Sequence, residues 1–180
     1  MTVLIFGPSG SGKTYVAKAL QARSINAFDD DQIAGLSAWY DKDGRKVAAP
    51  ANAEEAKTGQ YAFLWSKKAL AKFLNSFTSA GSDVYIFGGS GNIFNLLDLF
   101  DRVYFLKIEP GLQWQRLRSP SRPTPDMDVD ADGLVVWGAW FEEQAQKHHI
   151  PFIDAALTPA QIFELISQKD PEHPKDSKTA

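Results

Sequence analysis

The sequence predicts an α/β fold built around a mostly parallel β-sheet. Short apolar runs rich in β-branched and aromatic residues alternate along the chain with longer segments that have helical spacing. A chain in which strands and helices alternate in this way places its helices over a parallel sheet. Five strands are predicted, at residues 2–6, 25–28, 83–87, 102–108 and 150–153.

The first predicted strand leads directly into the glycine-rich segment Gly-Pro-Ser-Gly-Ser-Gly-Lys-Thr. This is the G-x-x-x-x-G-K-[ST] pattern of the Walker A phosphate loop (P-loop), and a helix-compatible stretch at 15–22 follows it, as the motif requires. Backbone N–H groups and the helix N-terminus bind phosphate oxygens, Lys13 reaches the β- and γ-phosphates, and the Thr14 hydroxyl is a ligand for Mg²⁺. The predicted ATP-binding residues are Gly7, Pro8, Ser9, Gly10, Ser11, Gly12, Lys13 and Thr14.

Three consecutive aspartates follow the second predicted strand, where open α/β sheets place their ligand crevice. A kinase needs carboxylates there, one to hold Mg²⁺ and one to orient or deprotonate the attacking hydroxyl. Alternate residues of an extended chain point to the same side, so Asp29 and Asp31 are predicted to share a side that Asp30 opposes. Asp29 is therefore the candidate metal ligand and Asp31 the candidate base. A solvated acidic turn is the alternative.

The segment between the aspartates and the third strand is predicted to contain a turn at 41–44 and a loop or short helix at 45–58. Residues 60–77 have apolar side chains at three- and four-residue spacing, which predicts a helix. Trp39, in a predicted loop near the aspartates, is a candidate to stack on a substrate ring. Arg45 is a second candidate for contact with the acceptor.

The second half of the chain carries two further candidate elements of a site. Gly88 and Gly89 follow the third strand, where a small-residue loop lets the backbone approach a substrate, although a tight turn is an equal alternative. Arg116 lies at the end of a predicted helix at 111–118, and Arg122 lies in the loop that follows. We expect residues 116–132 to form a lid. Arginine on such a loop neutralises charge that develops during phosphoryl transfer. Further helices are predicted at 93–100 and 134–148 and after the capping residue Thr158.

The composition limits which binding partners and which cellular location we expect for the protein. The chain has 180 residues, which suits one domain, predicted at 1–167, followed by a polar tail at 168–180 that we expect to be disordered. A formal net charge of −3 disfavours binding to long nucleic acid or an anionic membrane. The absence of cysteine excludes disulfides and fits a cytoplasmic protein. No segment reads as a signal peptide or as a membrane span.

These motifs together resemble the small P-loop kinases of the nucleoside monophosphate kinase superfamily, especially the shikimate kinase and gluconate kinase branch and uncharacterised bacterial AAA-type ATP-binding proteins. The resemblance implies a three-layer P-loop NTPase fold with strand order 2-3-1-4-5 and a small lid. It also implies that Asp29 lies near Mg²⁺ and Asp31 near the substrate hydroxyl. Gly88 and Gly89 match the glycine-rich substrate loop of that branch, the segment 116–122 matches the lid, and 153–155 matches the adenine-side loop.

The sequence thus favours an ATP- and Mg²⁺-dependent phosphotransferase that acts on a hydroxyl group of a small molecule. One alternative keeps this chemistry with a nucleotide or a polynucleotide end as the acceptor. Another alternative is a non-catalytic module whose nucleotide state sets a protein interaction. A nucleotide switch has no need of an acceptor-side base, so the aspartates favour the enzyme.

Overall fold

The computed structural model describes residues 1–50, 55, 58–119 and 131–168, with the backbone alone at 131–136. Its described strands form one five-stranded and one three-stranded sheet, and the five-stranded sheet has the order β2-β6-β1-β7-β8. All four neighbouring pairs in this sheet are parallel. The strands are β1 (Thr2–Phe6), β2 (Ala27–Asp29), β3 (Ser37–Asp41), β4 (Lys46–Val47), β5 (Tyr61–Trp65), β6 (Val84–Gly88), β7 (Arg102–Lys107) and β8 (Phe152–Asp154).

Helices cover both faces of the parallel sheet, which confirms the predicted α/β class. Strand β1 is fully buried, and its side chains alternate between two hydrophobic cores. Leu4 and Phe6 lie in one core, and Val3 and Ile5 lie in the other. The α-helices that can be described over their length are α1 (Lys13–Gln21), α2 (Lys67–Thr78), α3 (Pro110–Leu117), α4 (Ala131–Lys147) and α5 (Pro159–Ser167).

The two cores assign the helices to opposite faces of the sheet. Helices α1 and α5 bury residues such as Leu20 and Ile162 in the core that contains Val3. Helices α2 and α4 bury residues such as Leu70 and Ala145 in the core that contains Leu4. Counting only the strands of the parallel sheet, the order reads 2-3-1-4-5, because three additional strands intervene between its second and third members.

Those three strands form an antiparallel sheet with the order β4-β3-β5, which we call the second sheet. The prediction of a helix over 60–77 is therefore wrong for residues 60–66, since 61–65 is strand β5 and helix α2 begins at Lys67. Ser66 caps that helix by accepting a hydrogen bond from the Ala69 N–H. The prediction that Trp39 lies in a loop is also wrong, because it lies in β3.

Other predicted elements need smaller corrections. The segment 93–100 forms two 3₁₀ turns rather than one helix. The last helix begins as predicted, with Thr158 and Gln161 forming a capping box. Most of the predicted lid, and nearly all of the predicted tail, lie outside the described residues, as does Arg122. No helix within the described part of the chain combines the length and apolar character needed to cross a membrane.

Candidate active site

The P-loop connects the central strand β1 to helix α1, as its motif predicts. Gly12 caps α1 in the left-handed conformation, with φ of 94°, and Gly10 has φ of 85°. Side chains other than glycine rarely adopt these angles, so both glycines are required by the backbone path. A Cβ on Gly7 would lie 2.6 Å from the carbonyl oxygen of Leu106. The loop therefore has the narrow, glycine-lined form that suits a phosphate cradle.

The polar side chains of the P-loop differ in exposure. Lys13 Nζ donates hydrogen bonds to the carbonyl oxygens of Gly7 (2.7 Å) and Pro8 (2.9 Å). Thr14 is exposed at the start of α1, where its hydroxyl is accessible to a metal ion. Ser11 is 1% exposed, and its Oγ has no hydrogen-bond partner among the residues described. The Ser11 N–H donates to the Pro8 carbonyl oxygen at 3.2 Å, so this residue stabilises the turn of the P-loop itself.

The aspartates follow β2 in a 3₁₀ turn over Asp30–Gln32, and this turn overturns the predicted arrangement. The side chain of Asp29 accepts a hydrogen bond from the Asp31 N–H, and the Gln32 side chain accepts one from the Asp29 N–H. Because the chain is not extended here, Asp30 does not oppose its two neighbours. One carboxylate oxygen from each of the three aspartates lies within 4.8 Å of the others.

Asp30, which the sequence analysis left without a role, makes the most extensive contacts of the three aspartates. Its Oδ2 accepts hydrogen bonds from Trp65 Nε1 (3.2 Å) and from the Gly89 N–H (3.4 Å). A Cβ on Gly88 would lie 2.6 Å from the Cβ and Cγ of Asp30. Gly88 is therefore required for this packing, which joins β2, β6 and the second sheet at one point.

The electrostatics of the cluster follow from burial and from like charges. Burial, together with the nearby carboxylates of Asp29 and Asp31, raises the pKa of Asp30 to about 7, although the charge of Lys13 acts in the opposite direction. Burial and the charge of Asp29 also raise the pKa of Asp31, and Lys13 again opposes the shift. The P-loop lysine is thus close enough to the aspartates to act on their charge.

The predicted arginines occupy different places. The Arg116 guanidinium lies 3.3–3.5 Å from the carbonyl oxygens of Gly10, Ser11 and Ala155, which places it on the P-loop beside the chain that follows β8. Arg45 lies at the exposed end of the β3–β4 hairpin, where it pairs with Asp43 at 3.4 Å. The structure therefore brings Arg116, but not Arg45, to the P-loop.

Helix α4 closes the site from the side of the P-loop. A Cβ on Gly138 would lie 3.0 Å from Pro8, so the helix approaches the loop closely at this glycine. Phe141, one turn later, lies 4.0 Å from the position of a Cβ on Gly89. Gln113 is buried beside Gly138 and donates a hydrogen bond from Nε2 to the Ser9 carbonyl oxygen at 2.9 Å. Helices α3 and α4 thus support the P-loop from outside.

Comparison with solved structures finds the same fold in shikimate kinases. The enzyme from Acinetobacter baumannii, solved in complex with shikimate, has a TM-score of 0.53 and 22% identity over 92% of each chain. The enzyme from Bacteroides thetaiotaomicron has a TM-score of 0.53 and 16% identity over 93% of this chain and 99% of that chain. No protein-family model and no curated protein matches the sequence. The resemblance to P-loop kinases is thereby confirmed for the fold.

Proposed function

We propose that the protein is an ATP- and Mg²⁺-dependent phosphotransferase that moves the γ-phosphate of ATP to a hydroxyl of a small molecule. One observation carries the proposal. Strands β1 and β2 run parallel on either side of β6, with the P-loop at the carboxyl end of β1 and the aspartates at the carboxyl end of β2. A phosphate cradle and an acceptor-side carboxylate cluster therefore share one edge of the sheet, as phosphoryl transfer requires.

The glycine-lined P-loop fits the triphosphate of ATP, with Lys13 to neutralise its charge. Thr14 and Asp29 are the residues that would hold Mg²⁺, because hydroxyl and carboxylate oxygens are its preferred protein ligands. Bound Mg²⁺ supplies further neutralisation of the phosphates. Asp29 is 6% exposed and Asp31 is exposed, so Asp31 is the carboxylate that an acceptor can reach.

The transfer step balances with these residues. The acceptor oxygen forms a bond to the γ-phosphorus, and the bond from that phosphorus to the β–γ bridging oxygen breaks. ADP leaves with the bonding electron pair, and Asp31 accepts the proton from the acceptor hydroxyl. Arg116 or Arg122 neutralises charge on the transferred group. Gly88, Gly89 and Trp39 form the acceptor side, and Arg45 would reach it only if the hairpin moved.

The proposal is tested by an ATP-consumption screen of the purified protein with Mg²⁺. Pools of metabolites, nucleosides and short oligonucleotides are compared, and the variants Lys13→Ala and Asp31→Asn are run in parallel. Lys18→Ala is the matched control, since Lys18 is an exposed lysine of the same helix α1. We expect one pool to stimulate ATP consumption, with the stimulation lost in the first two variants and kept in the control.

Two outcomes would contradict the proposal. Turnover that persists in Lys13→Ala would show that the P-loop does not carry the reaction. Binding of ATP without stimulation by any pool would favour a nucleotide-dependent switch over an enzyme. Stimulation only by oligonucleotides would keep the chemistry and assign the acceptor to a polynucleotide end.

A further inference from the structure

The second sheet is fixed to the glycine-rich turn after β6 by hydrogen bonds of strand β5. The Gly91 N–H donates to the Phe63 carbonyl oxygen at 2.8 Å. The Asn92 side chain bonds both the N–H and the carbonyl oxygen of Trp65, each at 3.0 Å. These bonds hold β5 at Phe63 and at Trp65, two residues further along. The second sheet therefore has a defined orientation relative to the site.

One face of the second sheet is directed toward the aspartates. Trp65 identifies this face, since its Nε1 donates to Asp30 at 3.2 Å. Phe63 lies two residues before Trp65 and so shares its face, about 7 Å along the strand. Trp39 is the register partner of Phe63, and the two ring centroids are 5.4 Å apart. Trp39 and Phe63 thus form a continuous aromatic pair that extends outward from the aspartates.

This aromatic pair is half-buried, so part of each ring is accessible to a ligand. The next residue, Tyr40, lies on the opposite face and pairs with Ala62 and Lys46. The lysine of β4 is therefore also directed away from the aromatic face. A ring-bearing ligand that packs on Trp39 and Phe63 would lie within one strand length of the carboxylates.

The charges near this face disfavour an anionic ligand. One carboxylate oxygen from each of Asp29, Asp30 and Asp31 lies within 4.8 Å of the others. The hairpin arginine, Arg45, is paired with Asp43. Like charges placed together are strongly unfavourable in recognition, so an acceptor that carries its own carboxylate or phosphate would be repelled.

We infer that the acceptor is an uncharged ring compound with a free hydroxyl, a nucleoside or a ring sugar, whose ring packs against Trp39 and Phe63. The inference rests on the proposed function and specifies its acceptor. The aromatic pair supplies affinity through the ring, and the hydroxyl is presented to the carboxylates 29–31. Aromatic contact of this kind does not require charge on the ligand. A neutral ligand is also not repelled by the nearby carboxylates.

The test compares three sets of acceptors: nucleosides, neutral ring sugars, and the corresponding sugar acids and nucleotides. Trp39→Leu removes the indole and keeps an apolar side chain. Trp39→Phe keeps a ring, and Tyr40→Leu is the matched control on the opposite face. We expect a neutral ring compound to be the best acceptor, with its KM raised about 5- to 150-fold in Trp39→Leu. The KM for ATP should stay unchanged. Trp39→Phe should recover part of the loss seen in Trp39→Leu, and Tyr40→Leu should remain close to wild type.

The outcomes separate this inference from the proposed function. Preferred transfer to a sugar acid or a nucleotide would overturn the inference and leave the phosphotransferase in place, as would an unchanged KM in Trp39→Leu. If no acceptor is phosphorylated, the proposed function fails. The inference is then judged by saturation-transfer NMR of the same neutral compounds with Mg²⁺ and a non-hydrolysable ATP analogue. Binding lost in Trp39→Leu but kept in Tyr40→Leu would support it, and the absence of binding to wild type would overturn it.

Discussion

Replacing Gly88 by alanine places a methyl group against Asp30 at the point where three elements meet. The new Cβ would lie 2.6 Å from the Cβ of Asp30, whereas ordinary contacts begin at 3.4 Å. A displacement of about 0.8 Å is therefore required. Rotation of the Asp30 side chain cannot provide it, because Cβ is bonded directly to the backbone. The 3₁₀ turn that carries the aspartates must move instead.

The energetic cost follows from the packing and from the hydrogen bonds. Inserting a methyl group into a well-packed position costs about 1–3 kcal/mol. Movement of Asp30 also weakens its bonds from Trp65 Nε1 and the Gly89 N–H, each with a net contribution of about 0.5–1.5 kcal/mol. We therefore expect Gly88→Ala to lower the free energy of unfolding by about 2–6 kcal/mol.

Urea unfolding followed by circular dichroism measures this loss. Gly111→Ala is the matched control, since a Cβ at that helical position meets nothing within 4 Å. The same Gly88→Ala change is also made in an Asp30→Gly background, where the opposing Cβ is absent and the loss should shrink to less than about 1 kcal/mol. Equal losses in the two backgrounds, or a Gly88→Ala midpoint equal to that of Gly111→Ala, would refute the packing argument.

Three further predictions concern charge, capping and support of the P-loop. Asp30 has a folded-state pKa raised to about 7, so the stability that its neutral form provides is complete below about pH 4 and is lost as the pH rises through 7. Asp30→Asn should therefore gain stability relative to wild type as the pH rises from about 4 to about 7 in Mg²⁺-free urea titrations, and a difference that does not change with pH would contradict this. Ser66→Ala removes the N-cap of α2 and should lower the free energy of unfolding by about 1 kcal/mol in the same assay. An unchanged free energy of unfolding would show that water replaces the cap and would contradict this prediction. Gln113→Leu removes the hydrogen bond to the Ser9 carbonyl and should weaken binding of an ATP analogue about 2- to 12-fold by calorimetry, whereas unchanged affinity would show that the P-loop holds its form without it.

The P-loop could be predicted from the sequence because its motif depends on local chemistry. The glycines that adopt left-handed angles, the following helix and the strand before it are all adjacent in the chain. The parallel sheet followed from the same kind of signal, since its strands are short apolar runs between helices. These features need no knowledge of which distant segments meet.

The second sheet could not be predicted from the sequence because its signal is ambiguous. Tyr61, Phe63 and Trp65 alternate with smaller residues, which is a strand pattern, but they also extend the helical spacing of the segment that follows. The aromatic content and the capping residue Ser66 were the available evidence that the helix begins later.

The role of Asp30 could not be predicted in the same way. Its position depends on the turn stabilised by Gln32 and on contacts with Gly88 and Trp65, which are distant in sequence. An extended chain was assumed where a capping box bends it. Sequence spacing alone does not reveal that a glycine on a neighbouring strand leaves room for a carboxylate.

The order of the parallel sheet sets a distance across the site. Strand β6 lies between β1, which carries the P-loop, and β2, which carries the aspartates. Neighbouring strands are about 4.8 Å apart, so the two loops begin about 10 Å from each other. Gly88 ends β6 in this gap, and the Asp30 side chain occupies the space that a Cβ on Gly88 would fill. In the proposed phosphotransferase, the glycine that ends β6 thus admits a carboxylate into the space between the phosphate loop and the aspartate loop.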